Sequence, residues 1–194
     1  MNGVMDAIKG RRSVRKYKQQ QISDGELSQI VAAGQLAPSG HNRQTTHFVV
    51  VQQAAVLEEL RRVVREAFAE MEQPADPHDM KSTAIRLSKK GKYNFMYNPP
   101  TFIIAANKRG YGNAMADTAL ALGNMMLLAQ EIGIGSCWIN QLRWLCDDEK
   151  VMRAVEKLGI GRDEVVCGGL ALGYSDQPER PATVIQGNRV DYIK

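Results

Sequence analysis

The sequence predicts one domain that combines helices with short β-strands. Its 194 residues are enough for one domain with a substantial core and too few for two large ones. Several segments repeat apolar residues at helical spacing, and short apolar runs typical of strands lie between them. Neither internal repeats nor low-complexity tracts break this pattern. We therefore expect residues 1–194 to form a single domain.

The first expected element is a short helix followed by a basic extended segment. Val4, Met5 and Ile8 give a helical pattern that Gly10 can end. Residues 9–18 then carry six cations around one serine hydroxyl group, and no carboxylate lies between Asp6 and Asp24. This concentration of positive charge predicts an anionic partner.

The spacing within the basic segment favours one kind of anion. Arg11, Ser13 and Arg15 lie two residues apart, so they share a face of an extended chain, whereas a helix would turn Ser13 away. Two guanidinium groups and a hydroxyl group suit the oxygens of a phosphate monoester. The alternative is a solvated basic segment, stabilised by the negative end of the preceding helix dipole.

The remaining elements follow from capping residues, periodicity and turn residues. Ser23 and Glu26 form a capping box that begins a helix running to about Ala37, and Pro38 ends it. The polar loop 38–44 then enters a strand, a good place for a ligand. The other expected elements are a strand at 47–51, helices at 54–71 and 81–92, a strand at 101–106, a helix at 114–132, a strand within 133–141, a long strand at 164–174 and a short strand-like run at 189–193.

The helix expected at 114–132 is apolar on nearly all sides. Its polar strip is thin and consists of Asp117, Asn124, Gln130 and Glu131. Such a helix should be buried on nearly all sides. In a small domain, burial at a subunit interface achieves this, so we expect a homodimer; the alternative is a core helix within a monomer.

Charge and cysteine usage exclude several classes of protein. A balance of 25 basic and 21 acidic residues, net +4, argues against a general polyanion binder. The chain also has no helix-turn-helix, zinc-finger or aromatic-basic signature, so we expect no nucleic-acid partner. Cys137, Cys146 and Cys167 lack the spacing of a disulfide framework or zinc site, which indicates a reducing compartment. With no signal region and no apolar stretch of membrane-spanning length, we expect a cytoplasmic protein with no membrane partner.

Familiar catalytic and metal-binding motifs are also missing from the sequence. There is no Gly-x-Ser-x-Gly elbow, and His41, His47 and His78 lack metal-ligand spacing, so we expect no metal. No Gly-x-Gly-x-x-Gly fingerprint indicates a permanent dinucleotide fold. His41 is better interpreted as a loop-stabilising residue than as a substrate contact, and Cys137 as a small buried apolar residue than as a nucleophile.

Four motifs together resemble the nitroreductase family of FMN-dependent oxidoreductases. They are Arg-Arg-Ser-Val-Arg-Lys-Tyr at 11–17, Ala-Pro-Ser-Gly-His-Asn-Arg-Gln at 37–44, Gly-Ile-Gly-Ser-Cys-Trp-Ile at 133–139 and Leu-Ala-Leu-Gly-Tyr at 170–174. They follow the order and spacing of the family over almost the whole chain. The resemblance implies an α+β fold, with a mixed central sheet flanked by helices, built as an intertwined homodimer with two FMN sites at its interface.

The resemblance also implies where FMN binds. The phosphate and ribityl chain would be bound by the basic segment, through Arg11, Arg12, Ser13 and Arg15. Pro38, Ser39 and Gly40 would reach the flavin from the partner subunit, with Asn42 and Gln44 near the ring or ribityl chain. The residues along the isoalloxazine are Trp138, Ile139, Asn140 and Gln141, with the backbone N–H of Asn140 or Gln141 directed at N5. Arg189 would close the phosphate site, with Arg180 as the alternative, and Asn94 or Lys92 would lie near N1 and O2.

The implied activity is a ping-pong reaction on small molecules. NAD(P)H, a transient co-substrate, would reduce bound FMN, and a nitroaromatic, quinone or related acceptor would reoxidise it. No catalytic side chain is required, because the flavin N5 accepts the hydride. Thr45 and Thr46 depart from the Pro-Trp pair common in the family and change the strand entrance beside the flavin. The alternatives are a flavin-binding redox sensor and a relative on the same scaffold that cleaves flavin or removes halogen.

Overall fold

The fold is built around a four-stranded antiparallel sheet. The computed structural model describes residues 3–74, 76, 79–178, 181 and 187–194. The strands are β1 (His47–Val51), β2 (Thr101–Lys108), β3 (Gly135–Ile139) and β4 (Glu164–Gly173). Their order is β1-β2-β4-β3, so β2 and β4 are central and the other two strands form the edges.

Helices cover both faces of this sheet. In the described part of the chain they are α1 (Gly3–Gly10), α2 (Asp24–Gln35), α3 (Ala54–Glu70), α4 (Met80–Lys89), α5 (Ala114–Glu131), α6 (Gln141–Trp144) and α7 (Glu149–Glu156). One face packs against α5, on which α1 and α2 lie, and the other face packs against α3, α4 and α7. This arrangement confirms the α+β fold class.

Alternation along β2 divides the core into two layers. Phe102 and Ile104 point toward α3, α4 and α7, whereas Ile103 and Ala105 point toward α5. All four side chains are fully buried. Successive residues of a strand face opposite sides of a sheet, so a continuous apolar run is what a strand covered on both faces requires.

The expectation of a mixed sheet holds only through one short contact. The four strands pair antiparallel throughout. A parallel bridge joins Ser13, which lies outside the named strands, to Ser136 in β3.

The strand expected at 189–193 was wrong for the single chain. Residues 187–194 form no strand, and Val190, Tyr192 and Ile193 are exposed, the last of them at 98%. A strand is stabilised by pairing with another strand, and no described strand pairs with this run.

Helix α5 was predicted almost to the residue, but its burial was not. Met115 is 41% and Leu120 is 50% exposed, because the sheet, α1 and α2 cover only part of the helix. Asp117, expected on the polar strip, is instead buried. None of the described helices is long and apolar enough to span a membrane.

Candidate functional site

After Gly10 the basic segment is extended, and it meets the free edge of β3 and then the chain just beyond the end of β4. The Val14 N–H donates to the Ser136 carbonyl at 2.9 Å, and the Lys18 N–H donates to the Tyr174 carbonyl at 2.9 Å. Gly135 makes this approach possible, because a Cβ atom there would lie 2.8 Å from Cγ2 of Val14. The extended conformation is the one that the two-residue spacing favoured.

Arg11, Ser13 and Arg15 lie around the thiol of Cys137. Burial raises the pKa of this thiol, and the two guanidinium groups and the Ser13 hydroxyl oppose that rise from close by. Cys137 is therefore a protonated buried thiol rather than a nucleophile, in agreement with its interpretation from sequence. The three side chains are brought together at one place beside β3.

Arg12 is directed elsewhere. Its guanidinium donates to the carbonyl of Lys9 at 2.8 Å, to that of Arg11 at 2.7 Å and to that of Pro181. These contacts join the basic segment to the part of the chain that follows β4. They place Arg12 as a structural tie, and its role in holding a cofactor stays a prediction.

The arginines on the shared face are not neutralised by protein carboxylates. Among the described residues, neither Arg11 nor Arg15 forms an ion pair, whereas Lys16 pairs with Asp176 at 2.8 Å. The Arg15 guanidinium lies over the ring of Tyr97, 5.7 Å from its centroid. With no carboxylate paired to them among the described residues, these guanidinium groups fit the oxygens of a phosphate group.

Gln177 fixes the backbone of the same segment. Its Oε1 accepts the Arg15 N–H at 2.9 Å, and its Nε2 donates to the Ser13 carbonyl at 3.4 Å. Sequence reasoning missed this residue, because the contact spans more than 160 positions and carries no local signal.

Tyr93, which sequence reasoning also missed, contacts the Gln141 side chain. The Gln141 side chain donates to the Tyr93 hydroxyl at 2.8 Å, and burial raises the pKa of Tyr93 to about 12. Phe68 packs edge-on against Tyr93, with ring centroids 5.6 Å apart. Tyr93 is thus a rigid, protonated hydroxyl next to a residue predicted to lie along the flavin.

A strained turn presents Tyr97 to Arg15. Tyr97 and Asn98 have φ angles of 66° and 53°, a region that residues other than glycine adopt at a cost. The Asn94 Oδ1 accepts the N–H of Tyr97 at 3.1 Å, and its Nδ2 donates to Asn98 at 2.8 Å. The Asn94 amide therefore holds the turn, and the role predicted for it or for exposed Lys92 near N1 and O2 stays a prediction. The asparagines were the available signal, since they tolerate the left-handed region.

The end of β3 offers backbone groups rather than side chains. Ile139 is buried in the core, and the indole N–H of Trp138 donates to Oδ1 of Asn140 at 2.6 Å. Because the Ser136 carbonyl points to the free edge, the backbone groups of Trp138 point there as well. Asn140 is the next residue in that alternation, two positions beyond Trp138.

The predicted loop 38–44 contains a strained 3-10 turn, Gly40–Asn42. His41, Asn42 and Gln44 have φ angles of 53°, 51° and 51°. The Gln44 N–H donates to the Ser39 hydroxyl at 2.9 Å, and its side chain donates to Asn42 at 3.1 Å. These bonds stabilise a shape that the isolated chain would disfavour, as is common at functional loops.

Thr45 and Thr46, which depart from the family pattern, bind a buried asparagine. The Thr45 hydroxyl donates to Oδ1 of Asn107 at 2.8 Å, and Nδ2 of Asn107 donates to the Thr46 hydroxyl at 3.2 Å. The strand entrance is therefore fixed by hydrogen bonds to β2.

A single chain does not bring all of the predicted site residues together. Gly10 lies against Gln130, near the end of α5, whereas Gly40 donates to Asp117, near its start. Asp117 and Gln130 lie thirteen positions apart in the helix, which is about 20 Å at 1.5 Å per residue. The loop 38–44 leads into β1, whereas the basic segment lies beside β3. These two strands form opposite edges of the sheet.

Arg189, predicted to close the phosphate site, forms an ion pair near the end of the sequence. The exposed guanidinium of Arg189 pairs with Asp191, with its Nη2 3.0 Å from Oδ1. Arg180, the alternative, and His78 are outside the described residues. No group of three or more metal-binding side chains occurs within the described ranges.

Comparison with known proteins places this geometry in a family. The family model described as the nitroreductase family matches residues 8–174. A protein of Archaeoglobus fulgidus named as an NADH dehydrogenase/NAD(P)H nitroreductase is 31% identical over 175 residues, covering 90% of this chain and 86% of its own length. A Bacteroides fragilis nitroreductase solved with bound FMN is 34% identical, with a TM-score of 0.90 over 100% of both chains. A Desulfitobacterium hafniense nitroreductase, 23% identical over 100% of both chains, shares the fold with a TM-score of 0.84.

Proposed function

This chain belongs to the nitroreductase family, and from that premise we propose that it is an FMN-dependent NAD(P)H oxidoreductase acting on nitroaromatics, quinones or related acceptors. The observation that carries the proposal is the set of Arg11, Ser13 and Arg15 at the edge of β3. The two arginines have no ion pair among the described residues, and they lie with Ser13 beside the Cys137 thiol of β3.

The basic segment would hold the phosphate end of FMN. Arg11 and Arg15 supply charge-assisted donors, and Ser13 supplies a hydroxyl group, all from one extended face. The Tyr97 ring and the Gln177 side chain keep Arg15 in place. Because the site is built before a ligand arrives, little conformational entropy is lost on binding.

The backbone at the end of β3 would orient the ring. Bound flavin supplies a hydride acceptor at N5, and the protein supplies position and electrostatics. The alternation from Ser136 through Trp138 favours the N–H of Asn140, rather than that of Gln141, as the donor toward N5. The Gln141 side chain is already engaged with Tyr93, which helps to shape the acceptor side.

The site would be completed by a second copy of the chain. Ser39 and Gly40 lie about 20 Å along α5 from the place where the basic segment begins, so they are out of reach of a phosphate group held by the arginines of their own subunit. Exposed Leu120 and Met115 on α5, with exposed Val4 and Ile8 on α1, offer an apolar surface of the kind that subunit interfaces bury. We infer a homodimer with the loop 38–44 reaching the partner.

Two measurements test this function. Purified protein should show the visible absorption of oxidised flavin, and stripped protein should take up FMN in the ratio of one per chain. With NAD(P)H and a nitroaromatic varied together, double-reciprocal plots should give parallel lines, as expected when the two substrates occupy one site in turn. Colourless protein that refuses FMN would refute the cofactor, whereas intersecting lines would refute the ping-pong order alone.

A rapid-mixing experiment separates an enzyme from a redox sensor. An oxidoreductase should bleach its flavin absorption with NAD(P)H at least as fast as it turns over. Reduction slower than any useful turnover would favour a sensing role on the same scaffold.

A further inference from the structure

Asp117 is a buried carboxylate in the first turn of α5, with only 5% of its surface exposed. The Gly40 N–H lies 3.2 Å and 3.3 Å from its two oxygens, and the Tyr111 hydroxyl donates to Oδ2 at 3.0 Å. The positive end of the α5 dipole also favours a carboxylate at this position. An acidic side chain rarely goes so deep into a protein without a specific task for its acceptors.

Other contacts show that this carboxylate determines the shape of the loop. A Cβ atom on Gly40 would lie 2.6 Å from the Tyr111 hydroxyl oxygen and 2.3 Å from Nδ2 of Asn113, so the packing around Gly40 leaves no room for a side chain. The Arg43 guanidinium lies over the Tyr111 ring, 5.2 Å from its centroid. Asp117 and Tyr111 thus hold the loop on both sides of its strained turn.

We propose that Asp117 is a positioning residue for the cofactor site of the partner subunit. It fixes Ser39 and Gly40 in the conformation in which they reach the FMN held by the partner's basic segment. The inference rests on the proposed function, because FMN in a dimer is the target of the loop.

The geometry of the single chain separates Asp117 from the arginine site of its own subunit. Within its own chain, Asp117 is about 20 Å along α5 from Gln130, against which Gly10 at the start of the basic segment packs. A change at Asp117 should therefore leave its own arginine site intact and weaken the site across the interface.

Side-chain variants give the first test, with FMN titration of stripped dimer as the measurement. Asp117→Ala removes both acceptors and should raise the FMN dissociation constant about ten-fold. Asp117→Asn keeps one acceptor oxygen for Gly40 and should stay within about three-fold of the natural protein. The control is Asp6→Asn, which changes an exposed carboxylate in α1. FMN affinity in Asp117→Ala equal to that of the natural dimer would overturn the proposal.

Mixed dimers give the decisive test. We would pair an Asp117→Ala subunit with an Arg15→Ala subunit by using two affinity tags. If Asp117 acts across the interface, one site receives both changes and the other receives neither, so the mixed dimer should bind one FMN at natural affinity and keep about half the activity. If Asp117 acts within its own chain, each site carries one change and no natural site remains, which would refute the proposal.

Two further measurements keep the outcomes distinct. If Asp117→Ala does not fold, the double variant Asp117→Asn with Tyr111→Phe weakens the same contacts at nearly constant volume and replaces it in the mixed dimer. Thermal unfolding of each apo dimer separates loss of loop geometry from loss of fold. Failure of the natural protein to bind FMN would refute the proposed function itself, whereas normal FMN binding without recovery in mixed dimers would refute only the role of Asp117.

Discussion

Arg15 is the side chain on which cofactor retention should depend most. Replacing it with alanine removes a charge-assisted contact and the stack on Tyr97, at an expected cost of about 1.5–3 kcal/mol, or ten-fold and more in FMN affinity. Equilibrium dialysis followed by flavin absorbance measures the loss. Lys16→Ala is the matched control on the same segment, because Lys16 pairs with Asp176, and unchanged flavin content in Arg15→Ala would refute the assignment.

Tyr93 predicts a stability change at alkaline pH. Burial raises its pKa to about 12 from the ordinary 10.0, so the folded protein keeps a proton that the unfolded chain releases. The stability gained from the protonated hydroxyl is complete below pH 10 and is lost as pH rises toward 12, by about 1–2 kcal/mol after a discount for partial exposure. Tyr93→Phe should be less stable than the natural protein at pH 9, since the bond from Gln141 is lost.

Urea unfolding from pH 9 to 11.5 provides the measurement. The deficit of Tyr93→Phe should shrink as pH rises, because only the natural protein loses this contribution. Tyr17, which is also buried with a raised pKa, is present in both proteins and cancels in the difference. A deficit that stays constant over this range would show that Tyr93 titrates normally.

At the scale of residues, the sequence predicted side chains that act through local spacing. Arg11, Ser13 and Arg15 meet beside β3 because a two-residue period puts them on one face. Asp117 was assigned to the thin polar strip of α5, and its burial was missed because its partner Gly40 lies 77 positions away and helical periodicity does not report such a contact. Tyr97 escaped notice for a similar reason, as its ring meets Arg15 only after folding.

Among the elements, the close contact between β3 and the basic segment depends on Gly135. A methyl group at this position would lie 2.8 Å from Cγ2 of Val14 and 3.0 Å from the Gly173 carbonyl. Gly135→Ala should therefore push the basic segment away from the strand, with a cost of about 1–3 kcal/mol in stability and weaker FMN binding. Denaturant unfolding and FMN titration measure the two effects.

Gly25→Ala is the matched control for this substitution. Gly25 lies in α2, and a methyl group there would meet nothing within 4 Å. Alanine in a helix is favoured over glycine by about 0.5–1 kcal/mol, so this variant should be neutral or slightly more stable. Equal effects of the two substitutions would contradict the close packing of Gly135 on Val14.

Helices with capping residues and helix-ending glycines in the sequence were predicted well. Their predicted ends were wrong where such a residue was not taken into account. The capping box is formed, with the Ser23 N–H 2.8 Å from the Glu26 carboxylate, and it begins α2 as expected. Helix α4 ends at Lys89 rather than near residue 92, because Gly91 adopts a φ of 68° and the Lys92 N–H closes the turn on Leu87. This Schellman ending could have been read from the glycine.

For the whole molecule, the exposed side of α5 predicts how the dimer can be broken. Leu120→Arg puts a charge where we infer an apolar interface, so it should convert the dimer to monomers and release FMN. Light scattering after gel filtration, together with flavin absorbance of the same peak, provides the measurement. Met80→Arg is the control, since Met80 is 67% exposed at the start of α4, remote from α5 in the chain. A Leu120→Arg protein that stays dimeric would place the interface elsewhere.

Family and fold class were within reach of the sequence, because four motifs in order restrict the topology, and the family model matches residues 8–174. The sequence of one chain could not predict how the candidate site is completed. The strand expected at 189–193 lacks a described partner strand, and α5 keeps an exposed side. Periodicity predicts which apolar residues will be buried, but not whether the same chain or a second chain buries them.

The separation of the two halves of the site has a consequence for handling the protein. In the proposed dimer, each flavin touches two polypeptides, so its retention and the association of subunits are linked equilibria. Dilution below the subunit dissociation constant should therefore release FMN. Excess FMN should favour association of the subunits by mass action.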